Sequence, residues 1–283
     1  MKLATFSRRN NISFGAVLAD GGIIDLSSRL PGTYSTLLSV LNNDALSIVR
    51  EVVNAESSAD FHQDEVEFLP LFDSPVTIHC VGLNYAAHTA EAGVKQPDFP
   101  RTFIKIPSAL VGHGAALSKP TLSPEFDFEG ELAVVIGKST YRVSAENAVD
   151  YIAGYTCFMD GSVRDWQLQR TLDQGKNFRQ SSSMGPWLVT PDEVGPLAGL
   201  TLKTYVNEEV MQQSLLSKMI FPVGRLVEYV SSFTELRPGD VIATGTPEGV
   251  GFKRSPPRYL QRHDTVKVEI ENVGTLCNQV GGE

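Results

Sequence analysis

Residues 126–131 read Phe126-Asp127-Phe128-Glu129-Gly130-Glu131 and lead directly into the apolar stretch Leu132-Ala133-Val134-Val135-Ile136. A continuous apolar stretch of this kind belongs in the buried part of a sheet. Strand side chains alternate faces, so Asp127, Glu129 and Glu131 are expected on one side. Carboxylates crowded in that way repel one another. The arrangement persists only if they reach water, take up protons or hold a cation. Oxygen-only ligands suit a hard divalent ion, Mg²⁺, Mn²⁺ or Ca²⁺. The plain alternative is the solvated face of an edge strand.

The rest of the chain supports a strand-rich α+β fold. Short apolar stretches punctuated by Gly and Pro lie at residues 76–82, 132–137, 152–158, 187–190, 200–206, 240–244 and 265–270, and they do not alternate regularly with helices. Pro222 suits a helix start, with Val223, Leu226, Val227 and Val230 as an apolar stripe behind it. Residues 1–70 read as a small N-terminal α/β subdomain, with a hairpin turning at Asp20-Gly21 and short helices near 36–41 and 45–49. A linker at 69–75 then precedes a catalytic domain at 74–283.

The 283 residues are 42% hydrophobic and 20% charged, which allows a sizeable core. The net charge of −9, with no basic run, argues against nucleic acid and anionic membranes as partners. No apolar run is long enough to span a membrane, and Cys80, Cys157 and Cys277 form no metal or disulfide spacing. A reducing, cytoplasmic setting is the expectation.

Several polar residues sit where chemistry is plausible. Asp160 closes the apolar stretch 152–158. It can complete a site with Glu129 and Glu131, or simply cap a following helix. If the next residues are helical, Asp160, Arg164 and Gln167 share a face. Arg164 and Gln167 then suit substrate oxygens, or Arg164 merely pairs with Asp160. His88 and Glu91 lie one turn apart on a short helix capped by Asn84 and ended by Gly93, as a general-base pair or as a surface pair. Lys105 and Lys176 sit among apolar or Gly neighbours and can neutralise an anionic substrate, although lone lysines are usually solvated. In Gly245-Thr246-Pro247-Glu248-Gly249-Val250-Gly251, Thr246 and backbone amides can bind an oxyanion, or the segment is only a tight turn.

Seven segments in order resemble the fumarylacetoacetate hydrolase family. They are Gly82-Leu83-Asn84-Tyr85-Ala86-Ala87-His88-Thr89-Ala90-Glu91, Phe103-Ile104-Lys105, Asp127-Phe128-Glu129-Gly130-Glu131-Leu132, Gly154-Tyr155-Thr156 with Asp160, Arg164-Asp165-Trp166-Gln167, Gly175-Lys176-Asn177-Phe178 with Gly185-Pro186-Trp187, and Thr244 to Gly251. The resemblance implies a mixed β-sandwich roll and a homodimer. It implies Glu129, Glu131 and Asp160 as ligands of Mg²⁺ (or Mn²⁺ or Ca²⁺), His88 and Glu91 as a catalytic dyad that activates water on a lid segment, and Lys176 as a catalytic group that steadies the developing enolate or the dyad. It also implies Arg164, Gln167, Thr246 and Lys105 as contacts to a 2-oxo acid substrate. The implied reaction is C–C hydrolysis of an acylpyruvate-type 2,4-dioxo acid. Oxaloacetate decarboxylation, isomerisation or hydration of 2-oxo-alkenoates, and a non-catalytic ligand-binding member are the alternatives. Arg179 departs from the acidic or Gly-rich stretch of many members, and it is expected to favour a second anionic group.

Overall fold

The protein is described by a computed structural model over residues 1–30, 32–72 and 76–282. The N-terminal segment forms strands β1 (Lys2–Arg8), β2 (Asn11–Val17) and β3 (Gly22–Asp25), helices α1 (Leu37–Asn42) and α2 (Leu46–Ala55), and strands β4 (Phe61–His62) and β5 (Glu67–Phe68). The hairpin and both short helices lie where expected. Thr36 starts α1 because its side chain accepts from the Ser39 amide while the Ser39 side chain answers the Thr36 amide. The linker residues 73–75, and with them the boundary placed at 74, fall outside the described residues.

There follow β6 (Ile78–Gly82), α3 (Ala86–Ala92), β7 (Arg101–Lys105), β8 (Leu110–Val111), β9 (Leu117–Lys119), β10 (Phe126–Asp127), β11 (Gly130–Ile136), β12 (Ile152–Met159) and β13 (Ser162–Val163). Then come α4 (Arg164–Gln169), α5 (Leu172–Lys176), β14 (Ser182–Val189), α6 (Pro191–Val194), β15 (Thr201–Val206), β16 (Glu209–Leu215), α7 (Val223–Phe233), β17 (Val241–Ala243), β18 (Thr265–Ile270) and β19 (Gly274–Gly282).

A large mixed sheet runs β4-β3-β2-β1-β14-β12-β11-β17-β6-β7, and a second runs β16-β15-β18-β19-β9. β1 pairs antiparallel with β14, Leu3 opposite Leu188, so residues 1–70 extend the sheet that carries the candidate site. Between the two sheets lies a core in which Leu132, Val134 and Ile136 of β11 meet Leu202 of β15, Val268 of β18 and Leu276 of β19. The alternate residues Ala133 and Val135 face the other way, into a core shared with Leu37, Val40 and Val49 of α1 and α2. β11 is therefore buried on both faces. That is why residues 132–136, beyond Glu131, are uniformly apolar rather than alternating. The molecule is a strand-rich α+β sandwich with mixed sheets, as the sequence implied.

Candidate active site

β11 and β12 pair antiparallel with Gly130 opposite Met159, and the Asp160 amide donates to the Glu129 carbonyl at 2.8 Å. That register brings Glu129, just before β11, beside Asp160, just after β12. Glu131 lies one pleat further in. One carboxylate oxygen from each of Glu129, Glu131 and Asp160 falls within 4.8 Å of the others, and all three residues are buried. The close passage depends on Gly161, where an added Cβ would stand 1.7 Å from the Ser181 carbonyl oxygen.

Asp127 does not join them. Strand alternation over 127–131 fails because β10 ends at Asp127 and β11 starts only at Gly130. Its carboxylate turns instead to Arg164, 2.9 Å from both Nε and Nη2. It also accepts from the amides of Gly251 and Phe252 at 2.9 and 3.0 Å.

The cations around the cluster are also buried. Lys176 donates to Glu129 at 2.7 Å and to Asp160 at 2.8 Å. Burial works against its charge, but Asp160 and Glu129 prevail and lift its pKa. Arg164 Nη1 lies 2.7 Å from Glu129 and donates to Gln167 Oε1 at 2.9 Å. The expected Asp160–Arg164 pairing along one helix is absent: α4 starts at Arg164, and β13 separates it from Asp160. Lys105, expected to touch substrate, is fully buried behind the cluster. It is spent on the Lys176 carbonyl, on Ser182 Oγ at 2.7 Å and on Asp160 Oδ1 at 2.7 Å. The last contact is outside hydrogen-bonding geometry, so Asp160 Oδ1 has no aligned donor among the described residues.

Four buried carboxylates thus face three buried cations. The excess falls on Glu131. It has the Gly245 amide at 2.8 Å as a donor and no cation partner among the described residues. Burial, then Asp160 and Glu129, push its pKa well up. For Glu129 burial acts in the same direction, but Lys176 and Arg164 outweigh it and hold its carboxyl below the usual range. An oxygen-only set with an unpaired oxygen and one surplus negative charge fits a hard divalent cation. Glu129, Glu131 and Asp160 are the residues able to hold it.

His88 and Glu91 meet on α3, Nδ1 to Oε2 at 3.2 Å. Gly93 ends the helix in the left-handed region at φ 72°. Asn84 does not cap it. Its side chain instead donates to the carbonyls of Thr244 and Phe221 and accepts from the Phe221 amide. Burial tends to raise the Glu91 pKa, but hydrogen bonds from His88 and the Gly249 amide bring it below normal. Three amides of the 245–251 loop, and the next one, are taken by carboxylates of the protein itself. Gly245 serves Glu131, Gly249 serves Glu91, and Gly251 with Phe252 serves Asp127. Thr246 donates to the Gly130 carbonyl at 2.9 Å and accepts from Gln212 at 2.7 Å.

A cavity of about 330 Å³ gathers His88, Glu129, Arg164, Gln167, Lys176 and Thr246 on its wall. Lys105 is not among its lining residues. Sequence reading missed several others: Leu83, Arg101, Phe103, Leu168, Leu172 and Lys253. Leu83 carries a signal only in its backbone, with φ at 61°, a region bulky side chains seldom occupy. A larger cleft of about 810 Å³ beside Trp187 and His113 gathers no arginine or lysine among the described residues.

The model of the "fumarylacetoacetate (FAA) hydrolase C-terminal" family matches residues 77–281. The chain belongs to the fumarylacetoacetate hydrolase family. Among curated relatives, the mitochondrial oxaloacetate tautomerase FAHD2A of Bos taurus is 41% identical over 92% of this chain and 84% of its own length. Among solved structures, the fumarylacetoacetate hydrolase of the psychrophile Exiguobacterium antarcticum superposes with a TM-score of 0.87 at 33% identity, covering all of both chains. A Sphingobium maleylpyruvate hydrolase in complex with manganese(II) and pyruvate gives 0.82 at 26% identity, again over both whole chains. The protein is thus an enzyme of this family, and its relatives' named reactions are hydrolysis, isomerisation and tautomerisation of small acids.

Proposed function

We propose that the protein interconverts the enol and keto forms of a small 2-oxo dicarboxylic acid of the oxaloacetate type, with a divalent cation, Mg²⁺ or Mn²⁺, held by Glu129, Glu131 and Asp160. The observation that carries this reading is the meeting of His88, held by Glu91 at 3.2 Å, with Glu129 on the wall of one small cavity. Its volume is at the low end for ligand pockets and suits a compact acid. The 41% identity to an oxaloacetate tautomerase favours this reaction over the acylpyruvate hydrolysis suggested by motifs alone.

When bound, the cation supplies Lewis-acid polarisation of the substrate's 2-oxo oxygen. His88 Nδ1 is engaged by Glu91, which leaves Nε2 to exchange a proton with the substrate's C3. In the ketonising direction C3 gains that proton and the enol hydroxyl loses one, so protons balance without net uptake. Gln167 spends its carbonyl oxygen on Arg164, which leaves its amide N–H groups for a substrate oxygen. Thr246 retains one acceptor lone pair. Lys176 holds Glu129 and Asp160 in place and tempers the negative charge that develops beside them.

A second reading, C–C hydrolysis of an acylpyruvate, is favoured by the same His88–Glu91 pair acting on water and by the likeness to the maleylpyruvate hydrolase. The test is the decay of enol-oxaloacetate absorbance with Mg²⁺ or Mn²⁺ present, run alongside pyruvate release from acetylpyruvate. Accelerated enol loss without pyruvate supports the tautomerase. Pyruvate from acetylpyruvate with no enol acceleration replaces it with the hydrolase.

A further inference from the structure

The cavity holds four basic side chains, and two of them are already committed. Arg164 is consumed by Asp127, Glu129 and Gln167, and Lys176 by Glu129 and Asp160. Arg101 and Lys253 are not. Arg101 opens β7 opposite Gly82, is exposed, and has no ion pair or side-chain hydrogen bond among the described residues. Lys253 lies over the Phe252 ring at 5.0 Å and reaches the Ala92 carbonyl at the end of α3 at 3.4 Å, but meets no carboxylate among the described residues. The sole carboxylate on the cavity wall among the described residues is Glu129, which Lys176 and Arg164 neutralise. The charged lining of this cavity is therefore net positive, on a chain whose overall charge is −9. Arg179, the residue expected to meet a second anionic group, is not part of the cavity lining.

We infer that Arg101 and Lys253 form a subsite for the distal carboxylate of the substrate, and that they select dicarboxylic over monocarboxylic 2-oxo acids. This rests on the placement of the substrate's 2-oxo end at Glu129, Glu131 and Asp160 proposed above. A cationic rim of this kind acts mainly on selection and capture, because unpaired, partly solvated charges attract an anion without a large desolvation cost. The apolar lining from Leu168, Leu172 and Phe103 would otherwise welcome an uncharged acyl tail.

The test uses difluoro-oxaloacetate, which has no C3 proton to transfer, and its distal methyl ester. The two share one head and differ by one charge. Binding to the full-length protein with Mg²⁺ is measured by calorimetry. The wild type should bind the free acid at least about tenfold more tightly than the ester, and added salt should shrink that preference. In the double variant Arg101→Gln/Lys253→Gln the ratio should fall towards one, while Arg101→Lys should keep most of it. Ester binding by the double variant, with an unshifted melting temperature, shows that it is folded. A wild-type ratio near one, or a ratio unchanged in the double variant, overturns the subsite yet leaves the 2-oxo end in place. Failure of both ligands to bind the wild type removes both readings together.

Discussion

Arg164→Met tests the charge arrangement most directly. Arg164 is 2% exposed and its guanidinium spans Asp127 and Glu129. Removing one partner of a buried ion pair costs about 3–5 kcal/mol, because the remaining charge stays buried without compensation. Here the loss should sit at the low end. Asp127 keeps the amides of Gly251 and Phe252, and Glu129 keeps Lys176. The unfolding entropy of a chain of 283 residues is roughly 0.6 kcal/mol/K. A loss of about 3 kcal/mol then lowers the melting temperature by about 5 °C. The measurement is calorimetry in the presence of a chelator, so that bound metal does not mask the loss. Asp127→Asn in the same background should restore part of the stability, with a coupling of about 1 kcal/mol or more, because it removes the stranded charge. A melting temperature within about 1 °C of wild type, or strictly additive single variants, would refute the claim that this pair is buried and mutually dependent.

The surplus carboxylate charge predicts that a divalent ion stabilises the wild type. At a hundredfold excess over its dissociation constant the gain is about 2.7 kcal/mol, and Glu131→Gln or Asp160→Asn should abolish the corresponding thermal shift. Gly161→Ala drives a Cβ into the Ser181 carbonyl, so it should cost about 1–3 kcal/mol and weaken metal binding by displacing Asp160. Both losses are measurable by melting with and without Mn²⁺. Burial holds the folded pKa of His113 below its ordinary 6.5, and its ring accepts a hydrogen bond from the Cys277 amide. Between those two values the unfolded chain binds a proton that the folded chain refuses, so stability falls as pH drops below about 6.5. His113→Gln should flatten that slope in melting scans, and an unchanged slope would count against His113 as the titrating group.

What the sequence revealed was local. The apolar strands, the short helices near 36–49, the Gly93 helix end and the motif order around His88, Glu129 and Asp160 each depend on neighbours a few residues away, and these were legible. The partnerships were not. Asp127, Glu129 and Glu131 look equivalent in the chain, yet one anchors Arg164 and the glycine loop while the other two converge with Asp160. What separates them is the break between β10 and β11, which lets Gly130 pair with Met159 in a new register. Alternation rules presume an unbroken pleat and cannot carry that break. The same limit explains Lys105 and Arg101. Both lie on β7, one at each end, and only the pairing of β7 with β6 decides that Lys105 is consumed beneath the cluster while Arg101 stays uncommitted at the cavity. A buried charge has meaning only relative to its partners. The count of four carboxylates against three cations, from which the metal reading draws its force, therefore required the fold before it could be made.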